Sequence, residues 1–229
     1  MDRTKVEQHR LALFGRMVMG VAHEVDNYLS VIMGFSELIQ ISGAAEKKTL
    51  DSVAKIYNAG EKINVIVKHF SHYVRPHDPG RDLFSPSEAV AEIMVFSRYD
   101  LGRSSVTLKL PESMPSGMLT VDRRDFALAL LVLLFNGSEA MEPNGGTLRL
   151  DVSRGDGHWE FTVADEGPGI PAELETRVFD EGFTTKNGPL HTGMGLPLAR
   201  HLASEMGGSL SLSNLPECGC RAVLRIPGN

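Results

Sequence analysis

The segment Gly20-Val21-Ala22-His23-Glu24-Val25-Asp26-Asn27 sets an imidazole beside a carboxylate and four residues before an amide. At pH 7 an ordinary imidazole is mostly neutral, and one ring nitrogen keeps a lone pair that can attack phosphorus. Glu24 could accept a hydrogen bond from the other nitrogen, hold the tautomer and offset positive charge as a P–N bond forms. On a helix, Asn27 shares the face of His23, where its amide could hold a water beside a phosphorylated ring. Taken alone, the same spacing also describes an exposed helix histidine with acidic neighbours. A phosphoryl donor decides between the two.

Four clusters in the second half could hold such a donor. Asn136-Gly137-Ser138-Glu139-Ala140-Met141 follows the apolar run LALLVLLF. An inward-facing amide there needs a partner or a ligand, and its oxygen is a suitable hard ligand for Mg²⁺. Asp165-Glu166-Gly167-Pro168-Gly169-Ile170 follows a strand-like stretch. Its glycines let backbone approach a ligand, and its carboxylate can accept a hydrogen bond from an exocyclic amine. The third cluster is Phe179-Asp180-Glu181-Gly182-Phe183-Thr184-Thr185-Lys186, and the fourth is Thr192-Gly193-Met194-Gly195-Leu196, which opens a helix. Backbone N–H groups at a helix N-terminus form a ready phosphate site. Between these two lies a polar loop with Asn187-Gly188-Pro189, of the kind that serves as a lid. Singly, these glycines read equally well as turn residues. In series they point to a nucleotide.

The elements that must position these groups are legible from periodicity. No proline occurs from Lys5 to Ile41, and Leu13, Met17, Val21, Val25, Leu29, Ile32, Phe35 and Ile39 form one apolar stripe. Ser42-Gly43 breaks this helix. Leu50, Val53, Ile56, Ile63, Ile66, Val67 and Phe70 form a second stripe, which ends before the linker Arg75-Pro76-His77-Asp78-Pro79-Gly80. Such a helical hairpin has no core of its own. Pairing two copies into a four-helix bundle covers the seams, so a homodimer is expected. Beyond the linker, strands are predicted at Ser105–Leu110, Gly117–Val121, Thr147–Ser153, Trp159–Ala164, Ser209–Ser213 and Ala222–Ile226. Helices are predicted at Ser87–Tyr99, Arg123–Met141 and Leu196–Met206. This order is not the alternation of a doubly wound parallel sheet. The predicted class is α+β: a helical hairpin (1–75), a linker (76–81), and an α/β sandwich (82–229) with a mixed sheet covered by helices on one face.

Composition narrows the function classes. Hydrophobic residues make up 42% and charged residues 23%, with a net charge of −6, which argues against a nucleic-acid coat or a polybasic membrane patch. The longest purely apolar run, Phe126 to Phe135, is about half the ~20 residues that a spanning helix needs. MDRTKVEQHR lacks the apolar core of a signal peptide. Cys218 and Cys220 read as two thiols in a turn, too few for a disulfide framework or a structural zinc site. The expectation is a soluble cytoplasmic protein with no membrane segment and no nucleic-acid partner.

Taken in order, the segments 20–38, 136–141, 165–170, 179–186 and 192–208 resemble the H, N, G1, F and G2 boxes of sensor histidine kinases. AHEVDNYLSVIMGFSEL and GMGLPLARHLASEMGGSL carry the resemblance most specifically. It covers nearly the whole chain. It implies a dimerisation and phosphoacceptor hairpin, followed by an ATP-binding domain of the gyrase and heat-shock chaperone type. By position, His23 would be the phosphoacceptor, Glu24 the assisting acid, and Asn27 the residue linked to dephosphorylation of a response-regulator partner. Asn136 would coordinate Mg²⁺ and Asp165 would hold the adenine amine. Gly167, Gly169 and Ile170 would shape the pocket, while Thr192, Gly193, Met194, Gly195 and Leu196 would approach the phosphates. Phe183 to Thr192 would form the ATP lid, with Thr184, Thr185 and Lys186 at its base. The implied reaction is ATP-dependent autophosphorylation of His23, then transfer to an aspartate of a receiver domain. An alternative in the same family is an ATP-binding scaffold biased toward phosphatase action.

Four positions depart from the family pattern. Val132 stands where a second Asn is common and where related ATPases keep a hydrolytic glutamate. His191 replaces a frequent glycine, Tyr28 a frequent proline, and Gly182 a frequent phenylalanine. Val132 can neither activate water nor coordinate phosphate.

Overall fold

The computed structural model describes residues 3–42, 46–74, 80–186 and 191–228. The chain divides into two compact units, one of residues 14–77 and one of residues 78–229 to which residues 1–13 are grouped. The first unit is the hairpin of α1 (Arg3–Ser42) and α2 (Glu46–Val74). The predicted break at Gly43 and most of the predicted linker (76–79) lie outside the described residues. The Lys55 ammonium stands 4.4 Å over the Phe35 ring and the Lys62 ammonium 5.3 Å over the Tyr28 ring. As the number on α2 rises, its partner's number on α1 falls, so the helices are antiparallel. Ala59 and Ile66 are buried in the seam. Val21, Val25, Ile32, Phe35, Ile39, Ile56 and Ile63 are half-buried, in line with the stripes. Leu29, Leu50, Val53 and Val67 are exposed, contrary to the stripe reading, and Met33 and Ile41 are more than 70% exposed. Two helices share one seam, and a single seam cannot cover apolar residues spread over a wider arc.

In the second unit, β1 (Asp82–Phe84) pairs antiparallel with β3 (Leu119–Val121). The three residues of β1 are too short to show a period, and the sequence reading missed them. The main sheet has the order β2-β4-β5-β7-β6, formed by β2 (Val106–Lys109), β4 (Gly146–Gly155), β5 (His158–Ala164), β6 (Ser209–Asn214) and β7 (Cys220–Pro227). The β2–β4 pair is parallel and the other pairs are antiparallel, the mixed sheet expected. Alternation decides its faces. Leu148, Leu150 and Val152 on β4, and Trp159, Phe161 and Val163 on β5, are buried, while Arg149, Asp151 and Ser153 are exposed.

Helices α3 (Pro86–Arg103), α4 (Arg123–Ala140) and α5 (Gly195–Glu205) complete the unit. At the start of α3, Ser85 and Glu88 form a reciprocal capping box: the Ser85 N–H donates to Glu88 Oε2 at 2.9 Å and the Glu88 N–H to Ser85 Oγ at 3.2 Å. The Ser85 N–H and the Ser85 hydroxyl, which donates to the same oxygen at 2.9 Å, hold the Glu88 carboxyl below its usual value. Helix α4 is buried on every side from Arg124 to Phe135, which explains its unbroken apolar run. The Phe126 ring lies 4.7 Å from that of Phe161 on the sheet and 5.7 Å from that of Phe84. Asp122 caps α4 by accepting from the N–H groups of Arg124 and Asp125, both at 3.0 Å, and also from the Gly80 N–H at 3.1 Å.

Candidate functional site

The last turns of α4 form one wall of the site. Asn136 sits there half-buried, and its side-chain nitrogen is enclosed without a hydrogen-bond partner. The unbranched backbone of Gly195 lies against it: a methyl group at Gly195 would stand 3.5 Å from that nitrogen and 3.3 Å from a Val132 methyl. Val132, Asn136 and the first residue of α5 therefore share one small space, as a four-residue helical step requires. Met194 precedes α5 without a capping side chain. Pro197 removes one of the first N–H groups, which leaves those of Gly195 and Leu196 for an anion.

Asp165 directly follows β5 and is 7% exposed. Its Oδ1 accepts the N–H of Gly167 at 2.9 Å and that of Cys220 at 3.2 Å. Burial pushes the carboxyl above its usual value, against the opposing pull of these two bonds and of the Lys186 charge. Gly167 passes close to the Ala140 carbonyl, where a side chain would stand 2.9 Å from the oxygen. Ile170 is fixed by Asn214, whose amide accepts its N–H and donates to its C=O, both at 2.7 Å; Gly169 lies against the same amide.

The third and fourth clusters are joined by backbone. The Gly182 N–H donates to the Gly193 carbonyl at 3.2 Å. Gly193 has φ +67°, and a side chain on it would lie 2.6 Å from the Phe183 carbonyl carbon, so only glycine meets both demands. The Arg177 guanidinium lies 4.4 Å from the Phe183 ring and that of Arg200 lies 4.5 Å from the Phe179 ring. Thr184 and Thr185 are exposed, and Thr184 Oγ1 accepts the Lys186 N–H at 3.1 Å. The Lys186 ammonium meets Glu139 at 2.6 Å. Thr192 is exposed and Met194 is buried. Residues 187–190 of the expected lid lie outside the described residues.

His23, Glu24 and Asn27 form their own group on α1. His23 is exposed, and the Asn27 amide lies 3.1 Å from its Nδ1. The expected four-residue alignment is present, and Asn27 reaches the ring itself.

Residues 121–229 match the family described as histidine kinase-, DNA gyrase B-, and HSP90-like ATPase. The chain is 27% identical over its full length to the signal transduction histidine-protein kinase AtoS of Escherichia coli, and 27% identical over 99% of its length to sporulation kinase D of Bacillus subtilis. The chain is thus similar to histidine kinases along nearly its whole length. The chain spans less than half of those curated relatives, 37% and 44% of their lengths. Among solved structures, the catalytic domain of the histidine kinase ThkA is 26% identical and superposes with a TM-score of 0.57, over 65% of this chain and 95% of that one. ThkA in complex with the response regulator protein TrrA matches in fold over 97% of this chain and 64% of that one, with 24% identity and a TM-score of 0.57.

Sequence reasoning missed several residues of the site. Asn214 carried no signal, since a strand-end Asn is ordinary. Gly219 packs on the Asp165 backbone and has φ +96°. Cys220 is a correction: it begins β7 and is not in a turn. Its thiol is pushed up to about 11, first by burial and then by Asp165. Its backbone N–H, not its sulfur, serves the site.

Proposed function

We propose that this chain transfers the γ-phosphoryl group of ATP to its own His23 and then passes it to an aspartate of a response-regulator receiver domain. One observation carries the proposal: an exposed imidazole, aligned by Asn27, belongs to the same chain as an ATPase-family domain with a buried carboxylate and an unpartnered asparagine. Asp165 accepts the adenine amine through the carboxylate oxygen that its two backbone bonds leave over. The N–H groups of Gly195 and Leu196 take phosphate oxygens. Asn136 fits a Mg²⁺ site, because no protein acceptor holds its enclosed NH₂ and so fixes the amide, and its oxygen is a hard ligand. Bound Mg²⁺ would neutralise phosphate charge.

A His23 ring nitrogen attacks the γ-phosphorus with its lone pair. The bond from that phosphorus to the β–γ bridging oxygen breaks, and ADP leaves with the electron pair. Asn27 chooses the nitrogen. With its carboxamide oxygen turned to the ring, Nδ1 keeps the proton and Nε2 carries the lone pair; with its NH₂ turned to the ring, the roles reverse. Glu24 offsets the developing positive charge.

The same reading assigns 1–75 to dimerisation and phosphoacceptance, 76–81 to a linker about which the nucleotide domain swings, and 82–229 to catalysis. The exposed apolar residues of both helices support a homodimeric four-helix bundle. Among the described residues no helix is long and apolar enough to cross a membrane, and use of ATP suits a cytoplasmic site. ThkA bound to TrrA supports the regulator as partner. The phosphatase-biased scaffold keeps one observation in its favour: Val132 presents methyl groups where a second polar ligand would stand.

The test is incubation with γ-labelled ATP and Mg²⁺. Label that resists alkali and is lost in acid is expected, with His23→Gln abolishing it while nucleotide binding survives. Undiminished labelling of that variant refutes the assignment.

A further inference from the structure

Glu139 plays no part in the reaction derived above, yet it lies one helical turn beyond Asn136. Positions 132, 136 and 139 fall on one face of α4 by their spacing, and Gly195 packs on the first two. That face fronts the start of α5, where the phosphates are read to bind. A carboxylate on it would repel a polyanion unless a cation stayed with it.

The cation is present. Glu139 Oε2 lies 2.6 Å from the Lys186 ammonium, and the carboxylate side chain is 8% exposed. His191 Nδ1 stands 3.6 Å from the same oxygen, an ion pair only when the imidazole is protonated. Lys186 also acts on Asp165, drawing its carboxyl down against the effect of burial. The ammonium therefore meets Glu139 directly and acts on Asp165 through its charge. Its backbone is fixed by the bond to Thr184.

We infer that Glu139 is a positioning residue of the phosphate subsite, holding the Lys186 ammonium ready for the triphosphate. The inference rests on the proposed binding of phosphates at the start of α5. An ammonium has three donors, so it can keep Glu139 and still donate to a phosphate oxygen. A lysine stem on a loop otherwise samples many rotamers, and anchoring it to a buried helix removes that loss before ATP arrives. With Val132 contributing no polar group, this loop cation supplies charge that the helix does not. The carboxylate acts through Lys186 and touches no reacting atom.

Calorimetry with two ligands separates this role from a structural one. Mg-ATP and adenosine are titrated into wild-type protein, Glu139→Gln, Lys186→Met and the double variant. Each single variant should weaken Mg-ATP about tenfold, the scale of one charge-assisted hydrogen bond, and weaken adenosine far less. The double variant should bind Mg-ATP no more weakly than Lys186→Met alone. Three results overturn the inference: tighter Mg-ATP binding by Glu139→Gln, additive losses in the double variant, or equal losses for both ligands. Lys186 is 31% exposed, so Lys186→Met reads the contact even where Glu139→Gln does not fold. Wild-type protein that bound Mg-ATP no more tightly than adenosine would remove the phosphate subsite itself, and the inference with it.

Discussion

Gly219→Ala should disable the adenine end of the site without touching any group that contacts nucleotide. A methyl at Gly219 would overlap the Asp165 carbonyl oxygen, 3.0 Å from its carbon and 3.3 Å from the Glu166 Cα. All three are backbone atoms and no flexible side chain can yield, so the strands must separate. Two hydrogen bonds depend on their present spacing: the Asp165 N–H to the Cys220 carbonyl at 3.0 Å, and the Cys220 N–H to Asp165 Oδ1 at 3.2 Å. The first, a neutral bond, is worth about 0.5–1.5 kcal/mol and the second, to a charged group, about 1.5–3. Holding alanine at φ +96° adds about 1–2 kcal/mol. The loss is then about 3–6.5 kcal/mol, shared between stability and the orientation of Asp165. Thermal melts and ATP calorimetry on the same preparation check it: a lower midpoint, and at least tenfold weaker ATP binding by the protein that remains folded. A variant that melts and binds ATP like the wild type would show that the Asp165–Cys220 contact does not hold the carboxylate.

Asp165→Asn should weaken ATP by tenfold or more, since an amide offers one acceptor oxygen and a misplaced NH₂. Because burial raises the Asp165 carboxyl in the folded state, its protonation favours the nucleotide-free fold. That contribution is complete below the unfolded value and is lost as pH rises through the folded one. ATP needs the ionised acid, so affinity should fall as pH falls through the same folded value, and calorimetry at a series of pH values should find Asp165→Asn without this slope. Val132→Asn should lower the melting midpoint without nucleotide, by about 1–3 kcal/mol of stability for a buried polar group, and tighten Mg-ATP binding; equal destabilisation with and without Mg-ATP would mean that the new amide does not reach the phosphates. Asn27→Ala removes one hydrogen bond to His23, about 0.5–1.5 kcal/mol, so labelling should slow by roughly tenfold at most while regulator dephosphorylation slows more. Equal losses of the two activities would point to a hairpin defect.

The sequence carried the elements of the second unit to within a few residues wherever a period could develop. The 18 residues of α4 and the alternation in β4 and β5 are cases of it. The three residues of β1 are shorter than any period. Of the candidate site, the groups named by type were legible: His23 with Asn27, Asn136 beside Gly195, and Asp165 on Gly167. What stayed hidden came from strands distant in sequence. Cys220 reaches Asp165 across 55 positions and Asn214 reaches Ile170 across 44, in each case with backbone as donor or acceptor. Backbone donors have no side-chain signature, and only the strand register brings them to the site. Leu29 erred for a related reason: helical periodicity gives a face, but how much of that face is covered depends on the number of neighbouring helices.

Asp122 joins two things that mechanics would keep apart. Its carboxylate holds the N–H of Gly80, just beyond residues 75–79, and also terminates α4. From there to Asn136 the helix runs roughly 21 Å at 1.5 Å per residue. It has no glycine or proline before Gly137, and protein packs against it all round. Such a rod does not bend to absorb load. Tension on the chain at Gly80 is therefore applied to one end of a stiff lever whose other end carries Asn136 and Glu139. Asp122→Ala would remove one tie at the near end, while the bond from the Arg123 N–H to Asp82 and the pairing of β1 with β3 remain, and every group at the far end stays chemically intact.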